Sequence, residues 1–327
     1  MQKVFIIHRL NQSISVVIPV FRAGATLREL TKRINSVLVA TKLKFEIVFV
    51  EDCGGDDSWP VICELACLHP NITGIKLSRN YGQHNATLCG VRQARFDVTL
   101  TLDDDLQHPP EEIPKVLDKL AEGHGLVYGV PQKKTQNFLR SGLSWLIRFA
   151  IALASRQKTV QDLSAFRAFR TKVRNAFAEY RSPQVILDIL IAWGTTRIET
   201  VTVEHHERTI GTSNYRFRDL VRVAVLMWTG YTTVPLRLAS VIGFSFVAFG
   251  VGVLVYIVWL YFAYGTVAGF PFLASTIAIF GGVQLFTLGI MGEYLARIFN
   301  RSLDQPAYVV DRVVTANSRE DQREINS

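Results

Sequence analysis

The sequence predicts an α/β domain with a mainly parallel sheet, followed by interfacial helices and a transmembrane helical hairpin. Apolar runs of strand length alternate with helical patterns through the first part of the chain. An acid-rich loop, residues 103–107, follows the fourth such run. Residues 238–292 contain no Asp, Glu, Lys or Arg. Together these observations indicate a ligand-binding sheet domain attached to a membrane anchor.

Four apolar runs are predicted as strands, and the first three are each followed by a helix. In the first helix, Leu27, Leu30, Ile34 and Leu38 recur at the spacing of a face that packs on a sheet. Alternating strands and helices favour a parallel sheet covered on both faces. The predicted strands are 14–18, 45–50, 72–77 and 98–102, and the predicted helices are 25–40, 58–68 and 84–94.

Three loops are expected to meet at one edge of this sheet, because ligands of parallel sheets bind beyond the carboxyl ends of the strands. Pro19 and Phe21 end the first strand, and Glu51 and Asp52 end the second. The third loop is the acid-rich loop 103–107, which follows the fourth strand. Either acid can accept a hydrogen bond from a nucleobase N–H, and the following glycines allow close backbone approach. An ordinary strand-end turn explains the same acids.

The loop after the fourth strand carries three consecutive carboxylates and an amide, Asp103, Asp104, Asp105 and Gln107. Carboxylates this close repel one another unless a hard divalent ion neutralises them. We therefore expect a metal–diphosphate site that uses Mg²⁺ or Mn²⁺. The alternative is a solvated acidic turn that caps a helix beginning after Pro109 and Pro110.

The uncharged span is more than twice the about 20 residues that one membrane crossing needs. A Gly- and Pro-containing stretch at 265–271 interrupts it, so the prediction is two helices, 238–264 and 272–294. Arginines flank both ends, which by the positive-inside rule places the ends and the sheet domain in the cytoplasm. Two buried core helices of a soluble protein are the alternative reading.

Composition is consistent with this division. The 327 residues carry a net charge of +8, and arginines beside an apolar hairpin favour anionic membrane lipids over nucleic acid as the partner. The segment 4–7 is too short for a signal peptide.

The four cysteines, Cys53, Cys63, Cys67 and Cys89, lack the spacing of a metal site and are expected to be reduced, buried thiols.

Four motifs resemble family 2 glycosyltransferases, and more narrowly the polyprenyl-phosphate glycosyltransferases. They are Val-Ile-Pro-Val-Phe (17–21), Glu-Asp-Cys-Gly-Gly-Asp-Asp-Ser (51–58), Asn-Tyr-Gly-Gln-His (80–84) and Asp-Asp-Asp-Leu-Gln-His-Pro-Pro-Glu (103–111). That group includes dolichyl-phosphate mannose synthases and undecaprenyl-phosphate sugar transferases, and its bacterial members commonly end in two transmembrane helices. The similarity extends from about residue 13 to residue 308.

The resemblance implies a GT-A fold and inverting transfer of a sugar from a nucleotide-diphosphate sugar to polyprenyl phosphate, most simply undecaprenyl phosphate. It implies that Asp103, Asp105 and Gln107 hold the divalent ion and that Asp105 is catalytic. It also assigns Asp52 and Asp104 to the nucleotide sugar, beside Pro19, Phe21 and Glu51.

For the acceptor, the resemblance implies a lipid-phosphate site in an amphipathic, interfacial stretch at 138–158 and the motifs after it. Arg140 and Ser144 lie one helical turn apart and match the family's phosphate-binding pair. Asp162 and Arg208 are the implied catalytic residues, and the remaining lipid-phosphate residues are Arg167 and Ser213. A surface helix at 138–158 and an ordinary buried Asp–Arg pair at Asp162 and Arg167 are the alternatives.

The chain departs from the family pattern at several positions, which leaves base and sugar preference open. Arg22 and Ala23 replace acidic and amide residues, Glu51 replaces an aspartate, and Asn214 replaces a lysine. His205 and His206 suggest a metal site, but adjacent strand residues point to opposite faces, so a solvated pair is favoured.

The predicted organisation is a cytoplasmic GT-A domain (1–214), a juxtamembrane segment (215–236), the hairpin (237–300) and a cytoplasmic tail (301–327) of an inner-membrane, multi-pass protein. Glycines at 281, 282, 289 and 292 allow close helix approach, so we expect a homo-oligomer. Three other functions stay open: a processive polysaccharide synthase, which lacks its usual Gln-x-x-Arg-Trp motif here; a transferase to diacylglycerol; and a non-catalytic subunit of a lipid-sugar flippase.

Overall fold

The computed structural model describes residues 13–131, 164–183, 185–206, 234–265 and 269–316. The chain divides into two compact units. One unit comprises Met1–Asn214 with Asp304–Ser327, and the other comprises Tyr215–Leu303. The last residues of the chain therefore belong to the first unit, although the apolar helices separate them from it in sequence.

Eight strands form one sheet in the described part of the first unit, in the order β7-β5-β6-β4-β1-β2-β3-β8. Strands β3, β2, β1 and β4 are parallel, whereas β6 and β8 run antiparallel to their neighbours. The strands are β1 (Ile14–Val20), β2 (Phe45–Glu51), β3 (Ile72–Leu77), β4 (Val98–Thr101), β5 (Leu126–Pro131), β6 (Arg167–Arg170), β7 (Ile198–Val203) and β8 (Val310–Val314).

Helices cover the sheet as the alternating pattern predicts. All seven residues of β1 are buried, and the predicted face of the first helix, Leu27, Leu30, Ile34 and Leu38, is fully buried in the core. The helices of this unit are α1 (Leu27–Thr41), α2 (Ser58–Leu68), α3 (Gln83–Gln93), α4 (Ile113–Ala121) and α5 (Leu187–Gly194), with short 3₁₀ helices at Pro110–Glu112 and Thr171–Phe177.

Helix α3 packs directly on β1 and β2 because it contains a glycine at the contact. A Cβ atom at Gly90 would lie 2.3 Å from a methyl carbon of Val17. No side chain fits in that space, so the close approach requires glycine. This contact holds α3 close against the parallel strands of the sheet.

Strand β8 was missed in the sequence, which assigned its residues to a tail. It pairs antiparallel with β3, with Ile75 opposite Val313 and Lys76 opposite Arg312. Its charged residues and short length are typical of an edge strand. The strand closes the edge of the sheet that β3 would otherwise expose.

The second unit contains two long apolar helices, α6 (Val234–Tyr264) and α7 (Phe270–Ser302). The segments Leu236–Tyr264 and Ile279–Ala296 are long and apolar enough to cross a membrane, and neither is buried within the protein. The ring centroids of Phe246 and Phe280 lie 6.1 Å apart, so the two helices pack on one another. This exposure argues against core helices of a soluble protein and for membrane association.

None of the four cysteines, all of which the structure describes, forms a disulfide bond, as expected. Only Cys89 is buried, however, whereas Cys53 is exposed and the other two are partly exposed. The prediction of buried thiols is therefore wrong for Cys53. This residue lies in the turn after β2 with a positive φ of 53°, so its side chain points away from the sheet core into solvent.

Candidate active site

The loops after β1 and β4 are joined by Asp104. Its Oδ2 accepts a hydrogen bond of 2.9 Å from the Phe21 backbone N–H. The Thr26 hydroxyl donates a bond of 2.7 Å to the Asp104 carbonyl oxygen. Because the bonds involve both the side chain and the backbone of Asp104, the acidic loop has a fixed position relative to the end of β1.

Burial raises the pKa of Asp104 to about 7, against the hydrogen bond from Phe21, and the neighbouring carboxylates of Asp103 and Asp105 raise it further. The side chain is directed toward the β1 loop rather than into open solvent. Its predicted contact with a nucleotide sugar stays a prediction. Its described contacts are those of a residue that holds two loops together.

The three predicted metal ligands lie in one turn. The Gln83 amide donates a bond of 2.6 Å to Oδ1 of Asp103. The Gln107 backbone N–H donates a bond of 3.1 Å to Oδ1 of Asp105. Leu106, between them, has a left-handed φ of 60°, a conformation that non-glycine residues rarely adopt. The loop is thus bent sharply at the position where the sequence predicts a cation.

Within the described residues, no group of three or more His, Cys, Asp or Glu side chains could hold a metal ion by itself. The assignment of Asp103, Asp105 and Gln107 to a divalent ion stays a prediction.

Glu51 lies at the end of β2, with 2% of its surface exposed. Its Oε1 accepts a hydrogen bond of 2.7 Å from the Gly54 N–H, whereas its buried Oε2 has no hydrogen-bond partner among the residues that the structure describes. An unpaired buried acceptor is costly, by about 1–3 kcal/mol, and therefore requires an explanation.

Phe21 and Arg22, which follow β1, lie beside the turn that follows Glu51. The Arg22 Nε donates a bond of 3.0 Å to the Gly54 carbonyl, and the guanidinium carbon lies 5.3 Å from the centre of the Phe21 ring. Phe21 is 45% exposed. An exposed aromatic ring and a buried acceptor that has no partner among the described residues therefore lie on neighbouring loops.

Asp52 has a different environment from Glu51. Its two carboxylate oxygens accept bonds of 2.7 Å from the Tyr81 N–H and 2.8 Å from the Gly82 N–H. Burial raises the pKa of Asp52 despite these two bonds. The residue holds the loop that precedes α3, and its predicted contact with the nucleotide stays a prediction.

Arg167, a predicted lipid-phosphate ligand, is 3% exposed and is paired with Asp188. Its Nε also donates to the Thr101 hydroxyl at 3.2 Å, and the Tyr128 hydroxyl donates to Asp188 at 2.9 Å. Burial opposes the ionisation of Asp188, but the Arg167 guanidinium outweighs it and holds the pKa of that carboxyl below its usual range. The sequence allowed a buried ion pair with Asp162, but the observed partner is Asp188.

A histidine contact beside the acidic loop was missed in the sequence. His108 Nε2 lies 3.1 Å from the Ser164 hydroxyl, and the rings of His108 and His205 are 4.9 Å apart. The His206 N–H donates a bond of 2.9 Å to the Gln107 carbonyl. Burial and the neighbouring His205 lower the pKa of His108 to about 4. The residues after β7 therefore contact the acidic loop, which no local pattern indicated.

Five predicted site residues lie outside the described residues: Asp162, Arg208, Arg140, Ser144 and Ser213. The amphipathic stretch at 138–158 and most of the juxtamembrane segment lie outside as well. The acceptor half of the predicted site therefore rests on the sequence. The described half contains the acidic loop, the β1 and β2 loops, and the buried Arg167–Asp188 pair.

The sheet and its helices define a GT-A fold protein. A solved structure that is similar to it is glucosyl-3-phosphoglycerate synthase from Mycobacterium tuberculosis in complex with Mn²⁺, UDP-glucose and phosphoglyceric acid. The TM-score is 0.52 at 15% identity, and the match covers 71% of this chain and 84% of that chain. Residues 15–178 match the family described as "Glycosyl transferase family 2".

Two curated relatives match over nearly the whole chain, and both are named undecaprenyl-phosphate 4-deoxy-4-formamido-L-arabinose transferase. The protein from Shewanella sediminis (strain HAW-EB3) is 34% identical, covering 94% of this chain and 95% of the relative. That from Klebsiella pneumoniae (strain 342) is 32% identical, covering 95% and 97%. The chain belongs to glycosyl transferase family 2, within its polyprenyl-phosphate glycosyltransferases, and the resemblance read from the motifs is confirmed.

Proposed function

We propose that this protein transfers a sugar from a uridine-diphosphate sugar to undecaprenyl phosphate at the cytoplasmic face of the inner membrane. The observation that carries the proposal is the acidic loop, bent at Leu106 and joined by Asp104 to the β1 loop, in a chain that matches undecaprenyl-phosphate sugar transferases over nearly its whole length. The donor, the ion and the acceptor each draw support from separate residues.

The choice of uridine over guanosine rests on Glu51. Its Oε2 is buried and has no partner in the described part of the chain, while Oε1 already accepts the hydrogen bond from the Gly54 N–H. One free acceptor matches uracil, which presents one N–H donor between two carbonyl groups, better than guanine, whose edge presents adjacent donors. Binding of the base would thus remove the cost of the unpaired oxygen, and the exposed Phe21 ring offers a stacking surface.

The acidic loop fits Mg²⁺ or Mn²⁺ that is shared with the substrate. Asp103, Asp105 and Gln107 would hold the ion, and the donor diphosphate would complete its coordination. Magnesium commonly binds through one or two carboxylates and substrate phosphates rather than in a cage of protein ligands, which agrees with the lack of such a cage among the described side chains. When bound, the ion supplies charge stabilisation for the departing nucleoside diphosphate.

The reaction needs placement more than it needs a strong base. A phosphate monoester has a second pKa of about 6 and is largely ionised at pH 7. One of its oxygens attacks the anomeric carbon, the bond from that carbon to the diphosphate breaks, and the leaving group takes the electron pair. The protein orients the two anions, and Arg140, Ser144 and Arg208 are the residues we assign to the acceptor and diphosphate charges. Asp162 is assigned to orienting the acceptor.

Membrane placement is part of the proposal, because the acceptor is a lipid. The two apolar helices would cross the inner membrane as a hairpin, with both ends in the cytoplasm, as the flanking arginines favour. An acceptor phosphate at the inner leaflet would then lie at the level of the interfacial stretch 138–158. Association of copies through the glycine positions of α7 is a further expectation of this arrangement.

The proposal is tested with detergent-solubilised, full-length protein, Mn²⁺ and radiolabelled nucleotide sugars. A panel of UDP-, GDP- and TDP-sugars is offered with undecaprenyl phosphate or with diacylglycerol. We expect product only from UDP-sugars and only on undecaprenyl phosphate. Product on diacylglycerol alone would show that the acceptor is wrong, and a GDP- or TDP-sugar preference would show that the base assignment is wrong.

A further inference from the structure

His108 directly follows the acidic loop and contacts two segments that are distant in sequence. Its Nε2 lies 3.1 Å from the Ser164 hydroxyl oxygen, which also accepts a hydrogen bond of 3.2 Å from the Phe166 N–H. On its other side, Nδ1 of His108 lies 3.4 Å from Nδ1 of His205, and the two rings meet edge to face. Each nitrogen of this one imidazole therefore faces a polar side chain from another part of the chain.

The two segments that His108 contacts lead to residues assigned to the acceptor side of the reaction. Ser164 lies two residues after Asp162, which we assign to orienting the acceptor. His205 lies three residues before Arg208, which we assign to the phosphate charges. Two or three residues span at most about 7–10 Å, so a side chain that holds Ser164 and His205 also limits where the chain can place Asp162 and Arg208.

Other bonds hold the donor side of the acidic loop. The Gln83 amide donates to Asp103, and the Phe21 N–H donates to Asp104. Neither bond involves the His108 ring. Loss of that ring would therefore leave the acidic loop attached to α3 and to the end of β1, while the segments on the acceptor side lose a contact.

A backbone bond supports the segment after β7 independently of any side chain. The His206 N–H donates a hydrogen bond of 2.9 Å to the Gln107 carbonyl oxygen. This bond remains when His108 is substituted, whereas the bond with Ser164 does not. Among the described residues, the contact between His108 and Ser164 is the side-chain contact closest in sequence to Asp162. The Asp162 side is therefore the more sensitive of the two.

We infer that His108 is a positioning residue, which holds the acceptor-side segments against the acidic loop through Ser164 and His205, so that the lipid phosphate reaches the anomeric carbon ahead of water. The inference rests on the proposed function, because it takes the roles of Asp162 and Arg208 from it. It adds a residue that the donor, ion and acceptor assignments do not include.

A misplaced acceptor changes the product of the reaction as well as its rate. When the lipid phosphate is out of position, a water oxygen can bond to the anomeric carbon instead. The bond from that carbon to the diphosphate then breaks, the nucleotide leaves with the electron pair, and the water releases a proton to solvent. The ratio of free sugar to lipid-linked sugar therefore reports the position of the acceptor, whereas a general loss of folding lowers both products.

The test uses detergent-solubilised, full-length protein with Mn²⁺, undecaprenyl phosphate and the labelled UDP-sugar that wild type uses. Lipid-linked sugar and free sugar are measured separately, and the affinity for UDP is measured by calorimetry. For His108→Ala we expect kcat for transfer to fall by about tenfold or more, because a small misplacement of reacting groups can cost about a hundredfold. Release of free sugar should not fall, and the affinity for UDP should equal that of wild type.

Further variants assign the loss to the contact with Ser164. His108→Gln carries an amide that reaches about as far as Nε2, so it can still bond to the Ser164 hydroxyl and should recover most of the transfer. Ser164→Ala should lower transfer in the same way, and the double variant His108→Ala with Ser164→Ala should lose no more than the larger single loss, because the two residues act through one contact.

Matched controls come from residues away from the site. His69 follows α2, and Ser36 lies on the exposed side of α1. His69→Ala and Ser36→Ala should change neither transfer nor the affinity for UDP. A melting curve shows whether each variant is folded, and Ser164→Ala decides the matter if His108→Ala is not.

The outcomes separate the inference from the proposed function. If wild type makes no lipid-linked sugar from any UDP-sugar, the proposed function is wrong and the inference falls with it. If wild type is active and folded His108→Ala keeps its rate of transfer, only the positioning role is wrong. A parallel loss of transfer, free-sugar release and UDP affinity in both His108→Ala and Ser164→Ala would mean that His108 merely supports the fold, which also overturns the inference.

Discussion

The side-chain amide of Gln83 donates a 2.6 Å hydrogen bond to Oδ1 of Asp103. Gln83 begins α3, and the loop before it is held by the two hydrogen bonds that Asp52 accepts from Tyr81 and Gly82. The position of an assigned metal ligand thus depends on an acid at the end of a different strand. Such contacts orient the metal ligands, and losing one typically lowers the metal affinity by about tenfold or more.

The first prediction concerns Gln83. Gln83→Met keeps the length of the side chain and removes the donor, so Asp103 loses the contact that orients it. We expect the affinity for Mn²⁺ in the presence of UDP to fall by about tenfold, measured by electron paramagnetic resonance of free Mn²⁺. Gln93→Met, at the exposed end of the same helix, is the control. Equal affinities in the two variants would mean that Gln83 does not orient the ligand.

The second prediction concerns Asp52 and stability. In Asp52→Asn, the amide can accept only one of the two N–H groups, from Tyr81 or Gly82. The other N–H loses its partner in a partly buried position, which costs up to about 1–3 kcal/mol. We expect a lower melting temperature in detergent than for the parent. Asp57→Asn is the control, because Asp57 is exposed and makes no capping hydrogen bond. If both variants have the melting temperature of the parent, the stabilising role assigned to Asp52 is wrong.

The third prediction separates two thiols by their reactivity. Burial raises the pKa of Cys89 to about 12, so its thiol stays protonated, and unreactive, from pH 7 to pH 9. Exposed Cys53 should react with N-ethylmaleimide at pH 8, and UDP should slow that reaction, because Cys53 lies between Glu51 and Gly54. Peptide mass spectrometry reads each site separately.

The control thiol in that experiment is Cys67 on α2, which is partly exposed. Its labelling rate should not change with UDP. Rapid labelling of Cys89 in the folded protein would contradict its burial, and labelling of Cys53 that is indifferent to UDP would count against a nucleotide beside the β2 turn.

The fourth prediction concerns β8. Deleting residues 304–327 removes the strand that pairs with β3 and also removes Tyr308, whose ring lies 5.7 Å from the Arg92 guanidinium. The exposed β3 edge should promote aggregation, and the melting temperature should fall by more than about 4 °C. Deleting only 317–327 leaves the strand in place. An unchanged melting temperature after deletion of 304–327 would show that β8 is dispensable for stability.

The sequence predicted the parallel core because each strand there carries its own local signal. The first four strands are apolar runs, the first three followed by helical patterns, and the strands and helices occur within a few residues of the predicted bounds. The short strands β6 and β8 carry charged residues, Arg167 and Arg170 in one and Asp311 and Arg312 in the other. Their pairing depends on partners distant in sequence, so periodicity alone did not indicate them.

In the candidate site, too, the residues with a local signal were predicted, whereas the contacts between residues distant in sequence were not. The acidic loop and Glu51 were predicted from residue type and position at strand ends. The bonds from Gln83 to Asp103 and from His108 to Ser164 join residues 20 and 56 positions apart, and no spacing rule records such contacts. Arg167 shows most clearly what a motif cannot predict. The motif suggested that Arg167 binds a phosphate, whereas in the fold its guanidinium is paired with Asp188.

The central claim is that a divalent ion at the acidic loop releases the uridine nucleotide as the sugar passes to undecaprenyl phosphate. The most direct measurement is transfer of labelled sugar from a UDP-sugar by wild type and Asp105→Asn, with Mn²⁺ or with excess EDTA. We expect transfer only by wild type with Mn²⁺, loss of at least about a hundredfold in the other conditions, and recovery when Mn²⁺ is restored. Full activity of Asp105→Asn, or of wild type in EDTA, would contradict the account.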